Sequence, residues 1–370
     1  MSTVTLNDQY LSDIADSIRA KLNVATTYLP SEMALAIDSI PTGGGGADYP
    51  DWSWVKNDGY THVIVDIYND QLYTIKIGIV SFAGTIDWGD GNTQSFSTGS
   101  YTQVTHTYTA TGVYNISFSA PITFGNAANQ IAFGAAQYGY DKRALKYLEL
   151  VTNNSSLSMT ADNYGFSNCP CLELVYYGDN VAYSYCFENC GSLHYVSFNQ
   201  NLYIPPKCFA YSGIVGFVDR TPSANHYLRC PGVLAPQPFY YATSLSGTLN
   251  LHTSITGAGT ASNATCQRCS ALENVNLVGT KIGSYMFNES RALDTVVVGP
   301  DCTNIYANAF ATCRMKELHI KATTPPSLSN TNAINMSNIT SGKIYVPSAS
   351  LTAYQAATNW DQFLIYMVGE

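Results

Sequence analysis

Two residue types in this chain have the spacing for chemistry. The first is sulfur: Cys266 and Cys269 form a Cys-x-x-Cys, the arrangement by which two thiolates share a zinc ion or cycle as a disulfide. Structural zinc needs four ligands, and no second pair stands at ligand spacing, so metal is not expected there. The second is carboxylate oxygen: Asp87 and Asp90 lie in Asp87-Trp88-Gly89-Asp90-Gly91-Asn92, within reach of one hard cation. Calcium loops converge more oxygens than this turn offers, so Asp87 and Asp90 stand only as weak calcium candidates beside a hydrogen-bonded turn. No cofactor is expected.

Catalytic constellations are missing from the sequence. There is no Gly-x-Ser-x-Gly elbow, no His-Glu-x-x-His and no phosphate loop, and the 6 His are dispersed. Glu173, Glu188, Glu273 and Glu317 are isolated carboxylates that read as solvated positions on strands or turns. The expectation is a protein that is not an enzyme. A net charge of −9 with 17 scattered Lys and Arg gives no basic surface for gripping phosphates, which argues against nucleic acid. No stretch approaches the roughly 18 apolar residues of a membrane span, and the start of the chain lacks a signal-peptide pattern. No membrane insertion is expected.

The elements that must position these residues emerge from self-comparison. All 10 Cys fall between Cys169 and Cys313, where one phrase recurs: an aromatic or Cys, a few small residues, then Leu-x-x-Val-x-apolar. The clear copies are Phe166–Tyr177, Phe187–Phe198, Cys266–Leu277, Phe287–Val298 and Phe310–Ile320. Weaker ones lead with Phe209 and Phe239, and an incomplete first copy is Leu145–Leu150. The period, 21 residues from Phe166 to Phe187 and 23 from Phe287 to Phe310, is too short for a helix pair. It fits one strand and one return, so about eight coils should stack their strands in parallel. Leu145, Leu172, Leu193, Leu272 and Leu293 then form one inward column and the phenylalanines another. Cys169, Cys190, Cys269 and Cys313 share a phase and read as buried free thiols filling small spaces.

These coils, spanning 144–321, resemble the BspA-type leucine-rich repeats of bacterial, phage and protist surface proteins. The closing 322–370 segment, with Ala322-Thr-Thr-Pro-Pro and Lys343-Ile-Tyr-Val-Pro, is similar to that family's C-terminal cap. The resemblance implies a right-handed solenoid used for adhesion or ligand recognition, and it brings no catalytic residues.

Upstream, 61–123 alternates polar and apolar residues: Val63, Val65 and Ile67, then Ile75, Ile77 and Ile79, later Tyr114, Ile116 and Phe118. Period two over short runs predicts an antiparallel β-sandwich. The Trp88-Gly89-Asp90-Gly91 turn, followed by His106-Thr107-Tyr108 and Gly112-Val113-Tyr114, is similar to the PKD family of immunoglobulin-like domains. That resemblance implies a spacer or weak adhesion module.

Residues 1–42 read as short helices: Tyr10, Leu11, Ile14, Ile18 and Leu22 make one apolar stripe and Met33, Ile37 and Ile40 a second. Two such helices bury too little alone, so the stripes should mediate attachment or oligomerisation, with a homotrimer favoured. A Gly-rich linker is expected over 43–60. The phrase from Leu6 to Pro41 resembles the leader of phage and prophage tail and minor structural proteins. The expected fold class is therefore multidomain and mainly β: short N-terminal helices, a PKD/immunoglobulin-like sandwich and a capped BspA-type solenoid.

Binding belongs where the repeat is interrupted, because insertions fall on one face. The coil from Phe209 to Phe239 is 30 residues long, and its extra chain, Asp219–Pro238, carries Arg220, His226, Tyr227 and Arg229 on a proline-rich stretch. With Tyr240 and Tyr241 these form the expected receptor site. The resemblances imply a phage or prophage tail fibre or baseplate adhesin, located in the virion and assembled in the host cytoplasm. Its N-terminus would meet other tail proteins and its solenoid a host-surface glycan or protein. The alternatives are a bacterial cell-surface adhesin and, less favoured, a polysaccharide-degrading tailspike. On the sequence alone, exchanging Asp219–Pro238 for a short turn should abolish cell binding without unfolding the chain.

Overall fold

The computed structural model describes residues 51–68, 74–100, 102–120, 122–124, 142–150, 166–177, 187–198, 202–204, 206–220, 227–231, 237–254, 264–334 and 342–370. The helical segment read over 1–42, with Tyr10, Leu11, Ile14, Ile18, Leu22, Met33 and Ile37, lies outside them, as does His226. The account below concerns the compact unit Trp52–Glu370.

The unit is mainly β, with one short α-helix among the described residues. Its first part is antiparallel: β1 (His62–Ile67), β2 (Thr74–Asp87), β3 (Thr93–Thr98), β4 (Thr102–Thr107), β5 (Gly112–Phe118) and β6 (Thr123–Phe124). Long β2 is shared, pairing with β4 and β6 through its first half and with β3 and β5 through its second. Its alternating Ile75, Ile77 and Ile79 are buried against Val63, Val65 and Ile67 of β1, as period two requires.

The residues of the glycine-rich turn interlock with those downstream. The Trp88 ring, 1% exposed, stacks on His106 at 4.6 Å, His106 meets Tyr108 edge-on at 4.8 Å, and Tyr108 stacks on Tyr114 at 4.3 Å. The Tyr108 hydroxyl donates to the Trp88 carbonyl at 2.9 Å. Gly89 is obligatory: its φ is +79°, and a Cβ there would lie 2.7 Å from the Asn115 carbonyl oxygen. Asp87 Oδ1 accepts from the Gly89 N–H at 2.9 Å. Asp90 accepts from the Asn92 N–H and side-chain amide at 3.1 Å each and meets His106 Nε2 at 2.8 Å. Both weak calcium candidates thus spend oxygens on a hydrogen-bonded turn.

The solenoid follows, with main strands β7 (Leu145–Leu150), β8 (Leu174–Tyr177), β9 (Tyr195–Phe198) and β11 (Gly216–Asp219), separated by short β10 (Leu202–Tyr203). Then come β12 (Leu228–Pro231), β13 (Gly247–Ser254), β14 (Leu272–Gly279), β15 (Lys281–Ile282), β16 (Thr295–Val298), β17 (Asn304–Ile305), β18 (Glu317–Ile320) and β19 (Ser327–Leu328). Rungs pair in parallel from β7 through β8 and β9 to β11, and again from β12 through β13, β14 and β16 to β18. The two runs belong to separate sheets, with no strand pair between β11 and β12 or β13 among the described residues. The result is a solenoid of about seven turns, against the eight expected. The first repeat copy, β7, is entered through a 3-10 turn at Lys142–Ala144 in place of a phenylalanine turn.

Each coil closes on a turn led by its aromatic. The lead N–H donates to the residue before the next coil's lead: Phe187 to Cys208 at 3.0 Å, Phe209 to Pro238 at 2.8 Å, Phe287 to Ala309 at 2.8 Å. Two residues on, Asn189 donates to Ala210 at 3.0 Å and Tyr211 to Tyr240 at 2.9 Å. The leads stack face to face: Phe166 on Phe187 at 5.8 Å, Phe187 on Phe209 at 5.6 Å, Phe209 on Phe239 at 5.9 Å, and beyond Cys266, Phe287 on Phe310 at 5.4 Å. The buried Cys phase does more than fill space. Cys190 Sγ donates to the Phe166 carbonyl at 3.1 Å, Cys269 to Phe239 at 3.1 Å and Cys313 to Phe287 at 3.0 Å. Ser290, in the same phase, donates to the Cys266 carbonyl at 2.6 Å, whereas Ser212 donates to its own lead Phe209 at 2.7 Å and Ala242 has no side-chain donor.

Both ends of the stack are covered. At the start, β1 pairs antiparallel with β7, His62 facing Glu149, so the antiparallel part and the first coils share one sheet. Residues 52–57, read from sequence as part of a linker, are instead packed on this joint. Trp54 stacks on Tyr147 at 5.2 Å, and fully buried Glu149 accepts from the Lys56 and Asn57 N–H groups at 2.8 Å each. At the far end, β20 (Lys343–Val346), α1 (Leu351–Ala356) and β21 (Met367–Gly369) close the last coil. Tyr354 donates to the Ala322 carbonyl at 2.7 Å, and buried Trp360 donates to Pro326 at 2.7 Å.

Phe209 stacks on two neighbours, so Phe209→Ala should destabilise by about 3–5 kcal/mol in urea unfolding. Burial pushes the Asp90 carboxyl up, but hydrogen bonds from His106 and Asn92 outweigh it and hold the pKa below the ordinary 3.8. A depressed acid stabilises the fold above its unfolded pKa, and that stability disappears as pH falls through the folded one. Asp90→Asn should therefore lower the Tm at pH 7, and its deficit against the parent should shrink to nothing on acidification.

Candidate recognition surface

The lead turns determine what the solenoid edge displays. The residue two after each lead must take the left-handed region for its N–H to reach the next coil. Asn168, Asn189, Tyr211, Tyr241, Arg268, Glu289 and Thr312 do so, with φ between +56° and +64°. A side chain at such a corner points away from the core, and these seven form a row, one per coil. At its centre Tyr211, 47% exposed, stacks on Tyr241 at 5.3 Å, and Tyr240 meets Tyr211 and Tyr241 edge-on at 5.6 and 4.6 Å.

Arg268 extends the row. Its guanidinium lies 4.6 Å from the Tyr241 ring centroid, and its Nη2 donates to Glu289 Oε1 at 3.1 Å. The pair is half-exposed, so its worth is orientation more than stability: about 0–1 kcal/mol for the ion pair. The geometry presents three tyrosine rings with hydroxyls, beside a fixed cation. Such a surface suits binding, since aromatic faces and planar guanidinium groups gain contact area at low entropic cost.

The receptor site read from sequence is divided by the structure. Tyr240 and Tyr241 stand together on this row. Arg220 lies elsewhere, 5.2 Å over the ring of Tyr176, whose hydroxyl donates to Asn57 Oδ1 at 3.1 Å. Tyr227 meets His252 edge-on at 6.3 Å, and exposed Arg229 lies on β12 opposite His252 of β13. The long insert is also no free loop: β12 is a rung, joining β10 to the second half of β13. Exchanging Asp219–Pro238 for a short turn would remove that rung and expose β13, so the test suggested by the sequence would damage the fold.

Tyr176 and Tyr177 of β8 are buried and add nothing to this surface. Tyr211 and Arg268 were missed, though their phase relative to Phe209 and Cys266 is visible in the sequence. The sulfur chemistry weighed at the outset is quenched by burial, which pushes the Cys230 and Cys313 thiols up to about 12. Cys266 rises well above its ordinary value for the same reason, adding to hydrogen bonding with Cys269. Such thiols stay protonated, acting as S–H donors rather than nucleophiles. Cys190, Cys230, Cys266, Cys269, Cys302 and Cys313 are free and buried.

Parallel rungs, a stacked column of lead residues and two covered ends define a leucine-rich-repeat solenoid, a class that works through its surface. More narrowly, the chain matches the BspA type leucine rich repeat region in six copies over residues 138–220 and 237–352, and it belongs to that family. The unmatched 221–236 is the stretch that carries β12. The comparison with curated proteins finds no match. Membership points to surface adhesion or protein binding.

Proposed function

We propose that this chain is a tail fibre or baseplate adhesin of a phage or prophage, binding a host-cell surface receptor without chemical turnover. The observation that carries the binding half is the Tyr211–Tyr240–Tyr241 cluster, with Tyr211 exposed, Tyr240 and Tyr241 partly so, and Arg268 fixed beside it. The receptor is a glycan or surface protein, both of which use aromatic stacking and guanidinium hydrogen bonds. The tail half rests on the resemblance of Leu6–Pro41 to phage tail leaders, with attachment to other tail proteins and a homotrimeric assembly in the virion. The Trp88–His106–Tyr108–Tyr114 interlock supports a PKD-like identity for the antiparallel part, which acts as a spacer. Nucleic acid and membrane insertion play no part in this reading.

A bacterial cell-surface adhesin is the second reading, and family membership favours it. Detection of the chain in purified virions selects the first; detection on intact bacteria without virions selects the second. A polysaccharide-degrading tailspike would release product from host glycans, and such release would overturn the non-enzymatic reading. The double variant Tyr211→Ala/Tyr241→Ala should lose at least about tenfold in cell binding, each being an interface aromatic worth on the order of 1–2 kcal/mol. Its Tm should stay close to the parent's. Undiminished binding sinks the assignment of the receptor site to this row.

A further inference from the structure

A groove of about 700 Å³ opens where β13, β14, β16 and β18 end. It arises from unequal corners. β14 passes into β15 through Thr280 alone, whereas residues 299–303 separate β16 from β17 and residues 321–326 separate β18 from β19. The short corner is held low by Gly279: its φ is +133°, and a Cβ there would lie 2.0 Å from the Thr253 carbonyl oxygen. Thr253 is itself fixed, its hydroxyl donating to the Lys281 carbonyl at 2.8 Å. The recess is therefore built into the backbone, with a rigid floor and taller walls on the two following coils.

The walls carry unused polar groups. The hydroxyls of Thr280, Thr323 and Thr324 and the carboxylate of Asp301 line the groove without a hydrogen-bond partner among the described residues. His252 also lines it, and its Nδ1 is shielded from solvent with no partner there. Pro300 and Pro325 add apolar faces, and the lining contains no Lys or Arg. An anionic ligand would meet Asp301 with no cation in the lining. A purely apolar one would strip water from the Asp301 carboxylate and leave it unpaired. A hard cation needs more carboxylates than this one.

We infer that the groove binds a neutral oligosaccharide. Vicinal sugar hydroxyls donate to Asp301, the threonine hydroxyls complete the polar contacts, and the proline faces cover sugar C–H surfaces. The size suits a small-molecule site, commonly about 300–1,000 Å³. Tyr227 belongs to its margin through the edge-on contact with His252. This site is distinct in its residues from the tyrosine row and does not depend on that row's assignment.

The test is ligand-observed NMR and calorimetry on the full chain with maltotriose, cellotriose, chitotriose and mannotriose, and with sialyllactose as the anionic counterpart. At least one neutral trisaccharide should bind. Asp301→Ala, at an exposed position, should keep the parent's Tm and weaken binding about tenfold or more, the loss for a hydrogen bond to a charged group. Thr324→Trp, which fills the groove from another exposed position, should do the same. Tyr211→Ala/Tyr241→Ala should leave saccharide affinity within about twofold, since distant sites act independently. Failure of all four neutral sugars, tighter binding of sialyllactose, or an unchanged affinity in Asp301→Ala would overturn the inference.

Discussion

The structure depends on the main-chain ladder at the lead turns. A strand pair alone would let successive coils slide or splay, because parallel strands of four residues make few hydrogen bonds. The lead turn adds a second ladder on the opposite side of the coil, with the lead N–H and the N–H two residues later both reaching the next coil. That geometry requires left-handed backbone at non-glycine residues, which costs about 1–2 kcal/mol each. Burying a phenylalanine contributes about 1.5–3 kcal/mol and each main-chain hydrogen bond about 1 kcal/mol net, so the ordered turn wins in every coil. The donors at the Cys phase add a third tie, from side chain to the preceding lead carbonyl.

A ladder that repeats must also stop. An uncovered terminal coil would expose a row of unpaired N–H and C=O groups, inviting association with other chains. This protein solves the two ends differently. The first coil is met by an antiparallel strand, β1, reinforced by a buried carboxylate, Glu149, that gathers two N–H groups of the incoming chain. The last coil is met by a short helix and two aromatic donors, Tyr354 and Trp360, that satisfy carbonyls of the preceding corner. Binding surfaces then come from the constraint itself: left-handed corners push seven side chains outward in a row, and unequal corners at the strand ends leave a recess.

The sequence by itself determined the repeating parts. A 21-residue period, the alternating burial it implies and the recurrence of Phe, Cys and Leu in fixed phase made the parallel stack, its inward columns and its reduced thiols legible. These follow from local chain geometry, since equivalent positions in stacked coils must point the same way. Tyr240 and Tyr241 were named for their nearness to the Asp219–Pro238 insertion, whereas their place on the edge row follows from standing one and two residues after the lead Phe239. Tertiary structure alone decided what happens between non-equivalent segments. Periodicity carries no information on which strand an insertion joins, so the use of Asp219–Pro238 as a rung, the committal of Arg220 to Tyr176 and the fusion of β1 with β7 were invisible. The packing of Trp54 and Lys56 on the same joint was hidden for the same reason, because those contacts span about ninety residues of chain and depend on the two folds meeting in register.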